Sequence, residues 1–385
     1  MKVAHIRSHF LPPSETFIYN YVNNSGKYDS HIICELYQNA NQFPLDNIIV
    51  NRENGLWFEP LMNTLRNWVT PKLHKEIFYK KFYLRALKNI NPDVVHIHFG
   101  YPGILFTDIV KKYNLPMLVS FYGYDLSSLP YTLGYDVYTK NNLFSNGQIF
   151  TAEGNHAKKT LVDLGCPVEK AHRLRIGIRI ENYRFEPRIM KKGHPLKILF
   201  CGRFVPKKGL LLLIEAISKN IKENLNIELN IIGYGPQEDD AKRLIKTLDI
   251  KNNINFLGAL KHKDFINECY KNHIFIAPSQ KDKLTNETEG GAPTVLLEAQ
   301  ATGMPVVASR HADIPNIVED NKSGVLFDEG SLDSLFDAIL KIYEMNDDWE
   351  DMGLFGREFI KKNHDINVVY NKLNTLYDMA IESNT

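Results

Sequence analysis

The sequence predicts an α/β protein made of two doubly wound domains in tandem. Short apolar strands, each bounded by Gly, Pro, Asn or Asp, alternate with longer amphipathic stretches, a pattern typical of parallel sheets covered by helices. The alternation occurs twice, and the hydrophilic stretch Glu186–Pro195 separates the two series. At 385 residues the chain also exceeds the roughly 250–300 residues at which single cores stop growing. We therefore predict Rossmann-like domains at 1–190 and 191–355, facing a central cleft, and C-terminal helices at 356–385 that pack back toward the first domain.

The individual elements follow from short apolar runs and from helical spacing. Strands of the first series are predicted at Val3–Ile6, His31–Glu35, Val94–Phe99, Met117–Phe121 and Ile149–Thr151. Strands of the second series are predicted at Leu196–Gly202, Ile227–Gly233, Ile254–Leu257, Ile274–Pro278, Pro305–Ala308 and Gly324–Phe327. Helical patterns between the strands of the second series cover Leu210–Asn220, Gln237–Leu248, Lys263–Lys271, Thr294–Ala301 and Ser331–Tyr343, and one or two closing helices lie within Trp349–Ile381.

Composition and termini restrict the class of protein. With 44% hydrophobic and 24% charged residues, the chain is not disordered, collagenous or coiled-coil, and a net charge of +1 argues against a nucleic-acid binder. Four cysteines without metal-like spacing indicate free thiols in a reducing cytoplasm. The N-terminus lacks the apolar core of a signal peptide, and no run approaches 18 apolar residues. We expect a cytoplasmic protein.

Charge is divided unevenly along the chain. Residues 1–190 carry 22 Lys+Arg against 16 Asp+Glu, and residues 191–385 carry 24 against 29. The excess of the first half is concentrated in residues 66–88, where Lys75, Lys80, Lys81 and Arg85 are interleaved with aromatic residues. A basic face with aromatic anchors predicts peripheral binding to the inner face of the cytoplasmic membrane, and the alternative is a solvated helix whose aromatic side chains pack inward.

Two loops of the second domain follow strands closely. Gly202 and Arg203 end the first strand, and Lys208 stands five residues further on. A forked guanidinium and a point-charge ammonium at the carboxyl end of a parallel strand suit a diphosphate. The second loop holds Gly233 and Gly235 but lacks the third glycine of a dinucleotide fingerprint, so each loop alone is equally consistent with a structural turn.

The strongest constellation runs from Glu289 to Val306. The loop 290–293 enters the helix Thr294–Ala301, whose N-terminus presents free N–H groups to an anion. Glu298 is the single charge of this apolar helix and requires a partner, because burying an unpaired charge is costly. Either a ligand diol or a basic residue of another element satisfies it.

These residues resemble the donor-site pattern of retaining glycosyltransferases of family 4, which have the GT-B fold. The pattern comprises an acid, a Gly/Pro loop and a second Glu followed by A-x-A-x-G-x-P-V. Other motifs occur in the family's order: G-R-x4-K-G at 202–209, G-x-G-P at 233–236, Pro278-Ser279, Ile314-Pro315, Val318-Glu319-Asp320 and Ser323-Gly324. The first domain matches more loosely, through SETFI at 14–18, HIHFG at 96–100, FYGYD at 121–125 and Ala152-Glu153. The SETFI and YGYD segments resemble the subgroup that builds bacterial exopolysaccharide, capsule or O-antigen chains.

The resemblance implies a role for each matching residue. Arg203 and Lys208 hold the diphosphate of a nucleotide-sugar, and Glu298 holds the ribose hydroxyls. Glu289 contacts the donor sugar together with the residues of the donor loops: Gly202, Gly233, Gly235, Gly290, Gly291, Ala292, Pro293 and Thr294. His98 faces the cleft near the reacting sugar. The acceptor side is shaped by Glu15, Tyr122, Tyr124 and Asp125.

The chain departs from the family's pattern at two places. Eight residues separate Glu289 from Glu298 where the family usually has seven, so Gly290-Gly291 resembles a one-residue insertion, and Glu287 is the alternative acid. Relatives often have His where this chain has Tyr122. Tyr donates a hydrogen bond but is a poor proton carrier at neutral pH, so we do not assign Tyr122 as a base.

No metal and no cofactor are expected. A DxD-like pair is lacking where a metal would be expected, and His96 and His98 are spaced like zinc ligands without a visible third ligand. Arg203, Lys208 and the helix N-terminus must therefore stabilise the leaving diphosphate.

The resemblance favours a retaining transferase that moves a hexose-type sugar from a UDP- or GDP-linked donor to a glycan or lipid-linked glycan. The alternatives are a sugar-nucleotide epimerase of the same fold and an inactive nucleotide-sugar-binding protein.

Overall fold

The computed structural model describes residues 1–12, 15, 17–23, 26–51 and 71–384, and for residues 71–80 the backbone alone. Two parallel sheets form the scaffold, one in each half of the chain. The predicted fold class, two Rossmann-like α/β halves, is confirmed.

Among its described residues, the first half is built on seven strands and a short two-stranded extension. The seven strands are β1 Lys2–Ile6, β3 Asp29–Cys34, β5 Ile48–Val50, β6 Val94–His98, β7 Met117–Phe121, β8 Ile149–Ala152 and β9 Ala171–Arg173, and the extension pairs β2 His9–Phe10 with β4 Leu36–Tyr37. The strand order is β5-β3-β1-β6-β7-β8-β9, and all neighbours are parallel. The connecting helices are α1 Phe17–Val22, α2 Pro71–Ile90, α3 Gly100–Lys112, α4 Ser128–Leu133, α5 Val137–Lys140, α6 Leu143–Asn146 and α7 Asn155–Asp163.

The second half repeats the doubly wound order with six strands. These are β10 Leu196–Cys201, β11 Ile227–Ile232, β12 Ile254–Gly258, β13 Ile274–Ala277, β14 Val306–Ser309 and β15 Gly324–Phe327, in the order β12-β11-β10-β13-β14-β15. The helices are α8 Leu210–Lys222, α9 Glu238–Thr247, α10 His262–Lys271, α11 Thr294–Ala301, α12 Leu332–Glu344, α13 Trp349–His364 and α14 Ile366–Glu382. Because the order reverses beside β10, a crevice opens at the carboxyl ends of the strands.

Both faces of each sheet are covered by apolar side chains. Along β1, Ala4 and Ile6 face one core, whereas Val3 faces another that contains Leu373 and Leu376 of α14. This alternation explains why the strands of both halves are apolar at nearly every position.

The last two helices divide between the two halves. Helix α13 packs on α11 of the second half, and α14 lies on β6, β7 and β8 of the first sheet. The predicted boundary between residues 355 and 356 is wrong in detail, because α13 runs without a break from Trp349 to His364. The chain crosses between the halves at Asp365, which caps α14 by accepting a hydrogen bond from the N–H of Asn367.

Candidate active site

A cleft of about 1280 Å³ opens between the carboxyl ends of the two sheets. Both halves line it, as expected for two facing doubly wound domains. Predicted site residues in its walls are Glu15, Tyr122, Tyr124, Asp125, Gly202, Arg203, Lys208, Glu289, Ala292, Pro293, Thr294 and Glu298.

The cationic loop follows β10. Arg203 is exposed in the cleft, and its guanidinium makes no hydrogen bond or ion pair with the described residues. Lys208 ends a short 3₁₀ turn, and its Nζ lies 2.8 Å from Oε2 of Glu289. The cleft therefore holds one uncommitted guanidinium beside an ammonium that is balanced by a carboxylate.

The second glycine loop supports this cationic loop from behind. Gly233 and Gly235 do not line the cleft. A Cβ at Gly233 would lie 1.9 Å from the carbonyl oxygen of Gly202, and a Cβ at Gly235 would lie 2.7 Å from the backbone of Phe204. The two glycines thus let the loops pack backbone to backbone, which corresponds to the structural-turn alternative.

Glu289 is held by two polar side chains. Lys208 pairs with it and Ser279 donates a hydrogen bond of 2.7 Å to Oε1, while Lys207 acts on it through its charge. Burial alone would raise the pKa of Glu289, but the lysines and the Ser279 hydroxyl lower it to about 2. The other candidate acid, Glu287, pairs with Lys207. Glu289 therefore remains an anion at neutral pH.

Glu298 has a basic partner, which is one of the two predicted alternatives. Its carboxylate accepts hydrogen bonds from the Tyr183 hydroxyl at 3.0 Å and from Nε2 of His262 at 2.7 Å, and it also lines the cleft. The hydrogen bond to Glu298 raises the pKa of His262. The basic residue of another element is thus present, and the carboxylate still faces the space where a ligand diol would lie.

The acceptor side contains a cation that the sequence analysis missed. Arg7, just after β1, forms a two-pronged pair with Glu15, with nitrogen-oxygen distances of 2.9 and 2.7 Å. Its guanidinium lies 4.1 Å from the centre of the Phe99 ring. Its position at the carboxyl end of a predicted strand was a usable signal.

Asp125 acts mainly on its own loop. Its carboxylate accepts from the backbone N–H groups of Gly100, Tyr122 and Gly123 at 2.9–3.0 Å. Burial raises the pKa of Asp125 to about 6, against the effect of those donors. The neighbouring Tyr124 is 51% exposed and lines the cleft. Asp125 thus holds the loop in shape and leaves Tyr122 and Tyr124 to face a ligand.

The expectation that His98 faces the cleft is wrong. His98 is completely buried, and its Nδ1 lies 2.8 Å from the hydroxyl of Tyr122, which forms the cleft wall in front of it. Its Nε2 lies 3.1 Å from Nδ1 of His5. As the last residue of β6, His98 lies on the same face of the sheet as His96, two positions before it, and packs against His5 and Tyr122.

A third histidine completes a cluster that sequence spacing could not reveal. His5 of β1 pairs in register with His96 of β6, and ligand nitrogens of His5, His96 and His98 lie within 4.8 Å of one another. Both nitrogens of His96 already bond, to the hydroxyls of Tyr377 and Ser120. Burial lowers the pKa of His5 to about 3, so this imidazole is neutral. The contacts describe a hydrogen-bond network that supports Tyr122 from within the sheet.

The loop 290–293 contacts the first half through its two glycines. A Cβ on Gly290 would lie 1.9 Å from Cα of Gly123, so the two backbones touch. A Cβ on Gly291 would lie 1.6 Å from Oε2 of Glu153. Glu153 was quoted in the sequence match but not selected as a site residue. The extra glycine of the loop therefore lies at a contact between the halves.

A buried carboxylate also ties the two halves together. Asp313 of the second half accepts hydrogen bonds from the N–H groups of His156 and Ala157, at 2.8 and 3.0 Å. These groups are free donors at the start of α7 in the first half. The carboxylate thus caps a helix of the opposite half.

The basic segment 66–88 is described only in part. Residues 66–70, and the side chains of Lys75 and Lys80, lie outside the described residues. In helix α2, Lys81 and Arg85 are exposed, whereas Tyr83 is buried and donates a hydrogen bond of 3.1 Å to Glu35. Phe82 is partly buried against the same core. These two aromatic side chains pack inward, as in the solvated-helix alternative.

Within the described ranges, no helix combines the length and apolarity needed to cross a membrane.

Comparison with known proteins identifies relatives for most of the chain. Residues 182–359 match the family model described as glycosyl transferases group 1. The amylovoran biosynthesis glycosyltransferase AmsK of Erwinia amylovora is 29% identical over 283 residues, which cover 73% of this chain and 69% of the relative. The putative colanic acid biosynthesis glycosyltransferase WcaL of Escherichia coli K12 is 28% identical over 278 residues, which cover 71% and 67%.

Solved structures share the whole architecture. Anabaena Alr3699/HepE in complex with UDP has a TM-score of 0.75 at 14% identity and covers 97% of this chain and 99% of its own. Sucrose-phosphate synthase from Thermosynechococcus elongatus has a TM-score of 0.75 at 15% identity, with 100% of both chains covered. The fold implied by the sequence resemblance, GT-B, is thereby confirmed.

Proposed function

We propose that this chain, which has the GT-B fold and matches the group 1 glycosyltransferase model over residues 182–359, transfers a hexose-type sugar from a UDP- or GDP-linked donor to a glycan or lipid-linked glycan. The observation that carries this proposal is the pairing, across one cleft, of a cationic loop in one half with a polar and aromatic wall in the other.

The second half binds the donor. Arg203 and Lys208 take the diphosphate together with the N-terminus of α11, where no side chain caps the first N–H groups. Glu298 accepts from the ribose hydroxyls while Tyr183 and His262 hold its carboxylate in place. Glu289 is anionic beside Lys208 and accepts from hydroxyls of the donor sugar. A UDP complex of a structural neighbour supports this assignment.

Transfer proceeds with retention. The acceptor hydroxyl attacks the anomeric carbon from the face that the nucleoside diphosphate leaves, and a leaving phosphate oxygen takes the hydroxyl proton. Preorganised cations supply the stabilisation of the leaving group, so neither a metal nor another cofactor is required. The engagement of Glu15, Asp125, Glu289 and Glu298 with partners in the described cleft is consistent with a reaction that uses no strong protein base.

The pathway is cell-surface polysaccharide synthesis. The names of two relatives refer to amylovoran and colanic acid biosynthesis, which supports an acceptor of the same glycan class. Exposed Lys81 and Arg85 on α2 support peripheral contact with anionic lipid at the inner face of the cytoplasmic membrane, where a lipid-linked acceptor would arrive.

The test is a turnover assay with purified protein, UDP- and GDP-linked hexoses and a membrane lipid extract. We expect nucleoside diphosphate release that depends on the extract. Conversion of the sugar-nucleotide without acceptor would instead identify an epimerase, and tight binding without either reaction would identify a binding protein.

A further inference from the structure

One carboxyl group in the cleft is not engaged by any other described residue. Glu153 lines the cleft and makes no hydrogen bond or ion pair with the described residues. The other acids of the cleft all have partners: Glu15 with Arg7, Asp125 with backbone N–H groups, Glu287 with Lys207, Glu289 with Lys208, and Glu298 with His262. An uncommitted polar group in a binding cleft is available to a ligand.

Glu153 reaches the donor side of the cleft from the acceptor half. It directly follows β8 at the carboxyl end of the first sheet. Its Oε2 lies where a Cβ on Gly291 would be, only 1.6 Å away. Because Gly291 lacks a side chain, the carboxyl group fits against the donor loop. The extra glycine of this loop therefore makes room for Glu153.

The charges around Glu153 disfavour its ionised form. Burial is the main cause that raises its pKa well above the usual range, and Asp313, Asp125 and Glu289 add to it, whereas Lys208 opposes them. The remaining titratable groups that face it come from other packed elements: Tyr21 of α1, Tyr122 after β7, and Arg173, Arg175 and His364 around an adjoining small pocket. Burial and these neighbouring charges therefore favour the protonated carboxylic acid over the carboxylate.

A neutral carboxyl suits a sugar better than a charged one here. It donates one hydrogen bond and accepts another, which matches a hydroxyl group. A carboxylate at the same point would repel the diphosphate held by Arg203 and Lys208. We propose that Glu153 is a further catalytic residue, which binds a hydroxyl of the transferred sugar from the first half by donating a hydrogen bond. This inference rests on the proposed function.

The consequence is that sugar recognition depends on both halves. The nucleoside diphosphate contacts the second half alone, so its affinity does not depend on Glu153. The sugar completes its contacts only when Gly291 and Glu153 are together. Glu153 should therefore affect nucleotide-sugar affinity and leave the affinity of the free nucleoside diphosphate unchanged.

Calorimetric titration tests the proposed role of Glu153. The variants Glu153→Ala and Glu153→Gln are titrated with UDP- and GDP-linked hexoses, and separately with UDP and GDP. Loss of a neutral hydrogen bond should weaken nucleotide-sugar binding by Glu153→Ala roughly 3- to 10-fold, with nucleoside diphosphate binding unchanged. Glu153→Gln keeps a donor and should bind like wild type. As pH rises through the pKa of Glu153, wild type should lose its preference for the nucleotide-sugar, whereas Glu153→Gln should keep it. Glu169→Gln, an exposed first-half variant, is the control.

Three results would overturn the inference: wild-type nucleotide-sugar affinity in Glu153→Ala, equal weakening of both ligands, or Glu153→Gln as defective as Glu153→Ala. The proposed function fails separately, when wild type binds no nucleotide-sugar. Thermal melting of each variant identifies a loss of binding that is due to unfolding.

Discussion

At the scale of single residues, the proposed donor binding depends on the charge of Glu298. Its side chain is 8% exposed, and Tyr183 and His262 fix its orientation toward the cleft. A carboxylate held in this way accepts from two neighbouring hydroxyls without reorganising. The buried position and the fixed geometry make its contribution larger than that of a surface acid.

Glu298→Gln should weaken nucleotide-sugar binding. Hydrogen bonds to a charged group contribute about 1.5–3 kcal/mol, so the Kd should rise roughly 10- to 150-fold. Calorimetric titration measures this Kd. The matched control is Glu344→Gln, because Glu344 is an exposed acid of the same half. An unchanged Kd in Glu298→Gln would remove this residue from the donor site.

The His262–Glu298 pair should make stability depend on pH. The hydrogen bond from His262 raises its folded pKa above the usual 6.5, so the stabilisation is fully present below that pH and is lost as pH rises through the folded pKa. At about pH 6, wild type should therefore have a higher melting temperature than His262→Gln. This difference in melting temperature should vanish by about pH 9. A difference that grows with pH would contradict the pairing.

Residue chemistry was predictable where motifs carried it. Arg203, Lys208, Glu289 and Glu298 follow from spacing and resemblance, and all line the cleft. Depth was not predictable, because whether a side chain at a strand end emerges or turns inward depends on packing between strands.

Contacts between strands that are neighbours in the sheet but far apart in sequence were not predictable either. His98 lies behind Tyr122, and its neighbour His5 stands 93 positions away on an adjacent strand. Arg7 and Glu153 also occupy strand ends, but each is a single charge outside the segments that carry the strongest motif.

At the scale of elements, the two halves meet at the loop 290–293. This loop touches the first half through the backbones of Gly290 and Gly123, and Asp313 of the second half caps α7. In the proposed function, this contact keeps each half's share of the site together. The backbone contact leaves no room for a side chain.

Gly290→Ala should reduce turnover while nucleoside diphosphate affinity is retained. The added Cβ would lie 1.9 Å from Cα of Gly123, and displacement of the halves by about 1 Å can reduce kcat roughly 10²-fold. Gly193→Ala is the control, because Gly193 has the same left-handed backbone and an added Cβ meets nothing within 4 Å. Equal kcat values for the two variants would show that the contact does not matter for turnover.

Elements with a clear apolar run of four residues or more were the most predictable. Met117–Phe121, Gly324–Phe327 and Thr294–Ala301 have the bounds that the sequence predicts. The edge strands β5 and β9 were missed because each has only three residues, and β9 also has little apolar pattern of its own. Their pairing comes from the neighbouring strand rather than from propensity.

At the scale of the whole molecule, the uneven charge agrees with the proposed function. The acidic second half carries Arg203 and Lys208 at the cationic loop, and the basic first half exposes Lys81 and Arg85 on α2. Tyr83 packs into the core. Among the described residues of α2, contact with a membrane would therefore depend on the exposed basic side chains and not on insertion of this aromatic ring.

Reversing both charges, in Lys81→Glu/Arg85→Glu, should weaken binding to anionic vesicles. Each basic residue near such a surface contributes about 1 kcal/mol, so partitioning should fall at least about fivefold per residue. Sedimentation with vesicles measures this, and Lys222→Glu/Lys246→Glu on the second half is the control. If the double variant sediments with vesicles as wild type does, Lys81 and Arg85 belong to a solvated helix face that does not bind the membrane.

The cleft's central role is tested most directly by transfer of labelled hexose from nucleotide-sugar to acceptor, comparing wild type with Lys208→Met and with the exposed Lys222→Met. Removing one preorganised donor to the leaving group should reduce kcat roughly 10²- to 10³-fold. Lys222→Met should behave as wild type. Wild-type transfer by Lys208→Met would contradict the assignment of the cationic loop to the diphosphate.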